Sequence, residues 1–87
     1  SKWIALDDEA LRKELAKLAN QYAEKARIAI RNVRRDGMEA LKADENKKLI
    51  GEDDRKRGET EVQKLTDEQI KAADEVAAHK EKEILGK

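Results

Sequence analysis

The 87-residue sequence contains no cysteine, no proline and no phenylalanine, and only four glycines, one tryptophan and one tyrosine. The absence of cysteine excludes disulfides and thiolate metal sites. The absence of proline favours long helices. No apolar run approaches the ~20 residues of a membrane-spanning helix, and no signal-peptide segment is visible. We therefore expect a cytoplasmic protein that does not contact a membrane.

Charged side chains dominate what is present. The chain has 20 basic and 20 acidic residues, so its formal net charge is zero, and charged residues make up 46% of it. Only 38% of the residues are hydrophobic, and a chain of this length rarely gains more than about 3–5 kcal/mol from a single core. The composition predicts an all-α protein that is short of core.

The pattern of caps and breaks predicts a single helical domain over residues 1–87, with two helices. The first helix is expected over about residues 8–46, with Asp7 as N-cap and Leu6 packing on Leu11 as a hydrophobic staple. The turn is expected at about 47–51, and the second helix over about 52–85, opening on three acidic residues that suit the helix dipole. A connection this short predicts an antiparallel hairpin.

Each helix carries an apolar stripe, and we expect the two stripes to face each other. The stripe of the first helix consists of Leu11, Leu15, Leu18, Tyr22, Ala26, Ala29, Val33 and Ala40. The thinner stripe of the second consists of Val62, Leu65, Gln69, Ala73 and Val76, followed by Lys80 and Ile84. Four large apolar residues lie off these stripes, and we expect them to pack against a third helix: Ile28, Ile30, Leu41 and Ile70. We therefore expect self-association into a three- or four-helix bundle, with a fraying monomeric hairpin as the alternative.

The sequence contains few of the residues that nucleophilic catalysis requires. The one serine is Ser1, and neither threonine has a histidine near it in sequence to act as a base. Glu75, His79 and Glu83 are spaced i, i+4, i+8 and would share a helix face, but such spacing arises easily among 20 acidic residues, so a solvated polar face is the better interpretation. We expect no enzyme activity, no bound metal and no cofactor.

Basic residues are concentrated in one stretch of the first helix, where they form an arginine cluster. Residues 25–35 contain five basic side chains and no acidic one. Helical spacing brings Arg27, Arg31 and Arg34 to one face, flanked by Arg35, away from the apolar stripe. Arginines on a rigid helix can fork onto successive phosphates, so this face is a candidate site for RNA or DNA. The alternative is a solvated face balanced by neighbouring acids.

The same residues carry a family resemblance. The stretch ARIAIRNVRRDGM at 26–38 resembles the signature helix of bacterial ribosome recycling factors, and GEDDR at 51–55, EVQKLTD at 61–67 and KEKEIL at 80–85 resemble the family's last helix. The resemblance implies an L-shaped protein with a three-helix bundle and an inserted β-rich domain, which splits ribosomes together with elongation factor G. It also implies contacts from Arg31, Arg34 and Arg35, and less certainly Arg27, to rRNA of the large subunit.

The resemblance leaves the first bundle helix and the inserted domain without a counterpart here. We therefore expect a truncated or engineered recycling-factor domain that retains rRNA binding but does not split ribosomes. The alternative is an engineered helical scaffold that binds a protein or assembles with itself, because Trp3 and Ile4 depart from the family pattern. In that case Trp3, Ile4, Ile28, Ile30 and Ile70 would form the protein interface.

Overall fold

The computed structural model describes residues 7–86 and confirms the predicted helical hairpin. Helix α1 spans Asp8–Asn46 and helix α2 spans Glu52–Leu85, and the described residues contain no strand. Contacts between the two helices join Arg27 to Asp74 and Glu45 to Arg55, so the helices run antiparallel. The backbone measures 62 × 26 × 8 Å, which makes the hairpin a flat slab one helix thick.

The start of α1 is capped as the sequence predicts. Asp7 has extended backbone angles, and its carboxylate accepts a hydrogen bond from the Ala10 amide at 2.8 Å. Asp8 and Glu9 add negative charge in the first turn, where the helix dipole favours it. Leu6, the expected partner of Leu11 in a hydrophobic staple, lies outside the described residues.

A hydrogen-bonded turn reverses the chain between the helices. The Lys48 and Leu49 amides donate to the carbonyls of Glu45 and Asp44, both at 2.9 Å, and Lys48 takes the left-handed conformation with φ 61°. This is a Schellman motif with lysine where glycine is usual. Arg55, in the first turn of α2, forms ion pairs of 2.7 Å to Glu45 and 2.6 Å to Glu59 and so ties the turn to both helices.

The two helices meet along a seam of small side chains. Ala16, Thr66 and Ala77 are the only buried residues in the described part of the chain. Near the turn, a Cβ atom on Gly58 would lie 2.7 Å from Leu41 Cδ2. Small residues allow this close approach but each buries little apolar area, so the seam holds the helices together without forming a large core.

The prediction that the apolar stripe of α1 faces α2 is wrong. Tyr22 and Val33 are 70% and 71% exposed, and Leu15 and Leu18 are 41% and 37% exposed. Ile30, Leu41 and Ile70, which we expected to reach a third helix, are instead half-buried at the seam, while Ile28 is exposed. The buried residues of the seam are small, so the seam lies beside the stripe and the large side chains of the stripe remain uncovered.

Replacing Gly37 with alanine should raise the free energy of unfolding by about 1 kcal/mol, because alanine favours a helix interior over glycine by that amount. The new Cβ would lie 3.5 Å from Val62 Cγ1, an ordinary contact. Gly58→Ala is the matched control, because its Cβ would displace Leu41. Urea unfolding should show a smaller gain, or a loss, for Gly58→Ala, and equal gains would contradict the close approach at the seam.

Candidate nucleic-acid interface

Four arginines lie within three turns of α1. Arg27, Arg31 and Arg35 follow one another at intervals of four residues and so form a row along the helix, and Arg34 precedes the last of them. The surrounding helix is continuous from Asp8 to Asn46, so a rigid backbone sets the spacing of these side chains. The structure therefore brings all four predicted arginines to one part of the hairpin, but the burial and the ion pairs of the four side chains differ.

Arg27 is tied to the second helix. Its Nε donates to Asp74 Oδ1 at 2.6 Å and its Nη1 donates to Glu24 Oε2 at 3.2 Å, and 23% of its side chain is exposed. The hydrogen bond to Asp74 raises the pKa of Arg27 above its ordinary value and outweighs the opposing effect of partial burial; Glu24 contributes in the same direction. The expectation that the whole arginine cluster points away from α2 is therefore wrong for Arg27.

Arg31 and Arg35 point into solvent and are held loosely. Their side chains are 53% and 60% exposed. The nearest acidic oxygens lie at 3.8 Å, from Arg31 Nη1 to Glu24, and at 3.7 Å, from Arg35 Nε to Asp36. Both distances exceed the length of a hydrogen bond, and exposed pairs of this kind contribute little stability. Their guanidinium groups are therefore open to a phosphate ligand.

Arg34 lies at the edge of an apolar groove. We use this name for the open depression between α1 and α2 on the face where the stripe residues Tyr22 and Val33 are exposed. Arg34 is half-buried and lines a hollow of about 380 Å³ with Ile30, Val33 and Val62. No ion pair or hydrogen bond joins its guanidinium to another residue within 7–86. Its aliphatic stem therefore covers apolar surface, an arrangement that leaves the charged end free to reach solvent.

The sequence reasoning missed Asp74 as a partner of the cluster. Asp74 is 47 positions from Arg27 in sequence, so no local spacing connects them. The antiparallel hairpin does supply a signal, because residues equally distant from the turn come to lie side by side, and counting from the turn brings Arg27 opposite the segment around Asp74. A search for acidic residues in that segment would have found it.

The remaining predicted site residues fall in three different places. Ile30 lines the apolar groove, Ile70 is half-buried at the seam, and Ile28 is 49% exposed. Trp3 and Ile4 lie outside the described residues. Among the three isoleucines that the structure describes, Ile28 is therefore exposed, whereas Ile30 and Ile70 are half-buried.

No group of three or more histidine, aspartate and glutamate side chains within residues 7–86 is arranged to hold a metal ion. His79 Nε2 lies 3.0 Å from Glu83 Oε1, and Lys80 Nζ donates to the other carboxylate oxygen of Glu83 at 3.4 Å. Lys80 first, and His79 with it, lower the pKa of Glu83. In the described part of the chain, neither helix is long and apolar enough to cross a membrane.

The described residues therefore form an antiparallel helical hairpin with a row of arginines on its first helix and an uncovered apolar face. The model of the family described as ribosome recycling factor matches residues 6–85, and the chain belongs to this family. The match covers both helices.

Curated relatives agree with the family assignment. The chain is 77% identical over 79 residues to the ribosome-recycling factor of Novosphingobium aromaticivorans, 75% over 79 residues to that of Rhizorhabdus wittichii, and 66% over 79 residues to that of Zymomonas mobilis. Each alignment covers 91% of this chain and 43% of the relative. The chain thus spans about 43% of the length of these relatives. The matches favour the recycling-factor interpretation over an engineered scaffold.

Proposed function

We propose that this chain is a ribosome-recycling-factor segment that binds rRNA of the large ribosomal subunit through Arg31, Arg34 and Arg35. It takes part in translation by binding and catalyses no reaction itself. For these 87 residues the proposal extends to binding and not to the splitting of ribosomes. The observation that carries it is that Arg31 and Arg35 are more than half exposed, with no acidic oxygen within hydrogen-bonding distance.

Phosphate is the ligand that these side chains suit best. A guanidinium group presents two parallel N–H donors to one phosphate, and such charge-assisted hydrogen bonds are roughly twice as strong as neutral ones. Only weak surface pairs with Glu24 and Asp36 have to be given up when phosphate binds. The exchange therefore favours the phosphate complex.

The contact should recognise the shape of a folded RNA rather than its sequence. Residues 25–35 contain no aromatic side chain on which a base could stack, and the guanidinium groups of an exposed helix row reach phosphates first. Although the net charge of the chain is zero, a local basic patch is sufficient to attract a polyanion. The rigid spacing of Arg31 and Arg35 on one helix selects RNA backbones with phosphates at a matching separation.

Salt-dependent binding to purified ribosomal subunits tests the proposal. Each phosphate contact contributes about 0.7–0.9 to the slope of log K against log salt concentration, so contacts from the three arginines predict a slope of about −2 to −3. We expect such binding to large subunits and weaker binding to small subunits. Equal affinity for both subunits, or an affinity that salt leaves unchanged, would contradict the proposal.

Replacing Asp74 with asparagine should strengthen binding. The change replaces the charged carboxylate that holds Arg27 at 2.6 Å with a neutral amide and leaves Glu24, at 3.2 Å, as the acidic partner of Arg27. The guanidinium beside Arg31 is then held less strongly and can turn to a phosphate, so the salt slope should steepen by up to about 1. Asp67→Asn is the matched control, because Asp67 lies on the same helix and accepts only from Gln63. If both variants bind large subunits equally well, Asp74 does not restrain the cluster.

A further inference from the structure

One carboxylate interrupts the basic face of α1. Glu24 precedes Arg31 by seven residues, so the two side chains lie in line on the helix, about 10.5 Å apart along its axis. Glu24 Oε2 accepts a hydrogen bond from Arg27 Nη1 at 3.2 Å, and Glu24 Oε1 lies 3.8 Å from Arg31 Nη1. A single acidic side chain therefore faces two of the four arginines of the cluster.

Basic side chains continue on the other side of Glu24. Lys13, Lys17 and Glu24 line one open hollow at the surface of the hairpin, together with two side-chain amides. Residues 13–35 contain two acidic side chains, Glu14 and Glu24. Glu14 follows Lys13 by one position and so lies about 100° further around the helix. Between Lys13 and Arg35, Glu24 is therefore the acidic residue of a helix face that otherwise carries positive charge.

The ion pairs of Glu24 contribute little to the stability of the hairpin. Its side chain is 55% exposed, and exposed ion pairs are weak. Asp74 makes the shorter contact to Arg27, at 2.6 Å, and the 3.8 Å between Glu24 and Arg31 exceeds the length of a hydrogen bond. A negative charge at this position thus weakens the attraction of the face for polyanions while adding little to the stability of the fold.

The effect of Glu24 on a bound polyanion depends on the group that the ligand places opposite it. A phosphate held against the carboxylate is repelled, and like charges that meet across an interface weaken a complex strongly. A ribose 2′-hydroxyl or a base amino group can instead donate a hydrogen bond to the carboxylate. The face therefore suits a ligand that has phosphates at Arg31 and Arg35 and either a donor or a gap in its backbone at Glu24.

We propose that Glu24 is a specificity-determining residue of the arginine row, which selects folded RNA whose backbone leaves this position free of phosphate. The inference rests on the proposed binding of rRNA and extends it to the discrimination between RNAs. Specificity is a difference of affinities, and a repulsive contact raises it by weakening the wrong complexes more than the right one. A flexible single strand carries a phosphate at every nucleotide and covers the face evenly, whereas the irregular backbone of a folded rRNA can avoid Glu24.

Glu24→Gln tests the inference when its binding to large ribosomal subunits and to single-stranded polyuridylate is measured at the same salt concentration. Glutamine keeps the size and the helix propensity of glutamate and removes its charge. We expect about tenfold tighter binding to polyuridylate but only about twofold tighter binding to large subunits, because the right complex already avoids Glu24. The preference for large subunits should therefore fall by about fivefold.

Two further variants serve as controls. Glu61→Gln makes the same change at an exposed glutamate of α2, outside the cluster, and should leave the preference for large subunits unchanged. Glu24→Asp keeps the charge and should also keep the preference, which shows that charge and not helix structure is responsible. Equal tightening of both complexes by Glu24→Gln, or the same fall in preference for Glu61→Gln, would overturn the inference alone. An unmodified chain without any preference for large subunits would overturn the proposed function as well.

Discussion

Replacing Arg31 and Arg35 together with glutamine is expected to lower the affinity of the chain for large ribosomal subunits by about 100-fold. Each lost charge-assisted hydrogen bond to phosphate corresponds to roughly a tenfold change, and the salt slope should fall by about 2 because two phosphate contacts are lost. Glutamine favours a helix nearly as well as arginine does, and both positions are exposed, so the hairpin itself should be unchanged. Binding measured at several salt concentrations gives both quantities.

The matched control replaces Arg12 and Arg57 with glutamine. These arginines are also exposed, one on each helix, and lie outside the cluster at 27–35, so the control removes the same net charge from other places. Its affinity for large subunits should stay within about threefold of that of the unmodified chain, as expected for screened, distant charges. An equal loss for the two double variants would show that overall charge, and not the arginine row, determines binding.

The second large effect concerns the seam. Ala77 is 8% exposed and is one of the buried residues of the seam, so Ala77→Phe should force the helices apart. Overpacking of this kind costs typically 1–3 kcal/mol, a large share of the roughly 3–5 kcal/mol that a core of this size supplies. We expect the urea concentration at the midpoint of unfolding, followed by circular dichroism, to fall clearly below that of the unmodified chain.

Ala78→Phe is the control for this experiment, because Ala78 is exposed and its side chain leaves the seam. It introduces the same side chain one position further along the same helix, so differences in helix propensity cancel. The control should unfold at the same urea concentration as the unmodified chain, or close to it. If Ala77→Phe and Ala78→Phe behave alike, the helices do not meet along the small-residue seam.

The sequence was sufficient to predict the two helices because their signals are local. The Asp7 cap, the acidic residues at 52–54 and the run of strong helix formers act within a few positions of the chain. The short turn then leaves the antiparallel hairpin as the natural arrangement. None of these inferences requires knowledge of which surfaces meet.

Local signals could not predict which side of each helix packs against the other helix. A periodic stripe such as Leu15, Tyr22 and Val33 shows that one side of α1 is apolar, but periodicity does not state which neighbour that side meets. The distance of closest approach decides it, and small residues such as Ala16 and Ala77 permit an approach that large ones prevent. Seam and stripe therefore occupy different sides of the same helix.

The arginine cluster also combines features that the sequence of one helix predicts with features that depend on the packing of both helices. Helical spacing was enough to bring Arg27, Arg31, Arg34 and Arg35 together, because that depends on α1 alone. It did not predict that Asp74 engages Arg27 across the hairpin or that Arg34 lies along the apolar groove. Those contacts come from the packing of α2, and they divide a uniform row of arginines into one restrained residue, one half-buried residue and two open ones.

Competition on the large ribosomal subunit tests the central claim most directly. A fluorescently labelled form of this chain would be bound to purified large subunits, and an unlabelled full-length ribosome-recycling factor such as that of Novosphingobium aromaticivorans, 77% identical over 79 residues, would be added. If α1 presents its arginines to the same rRNA, the full-length protein should displace the labelled chain completely. Simultaneous binding of both proteins, or no binding of the chain at low salt, would contradict the account.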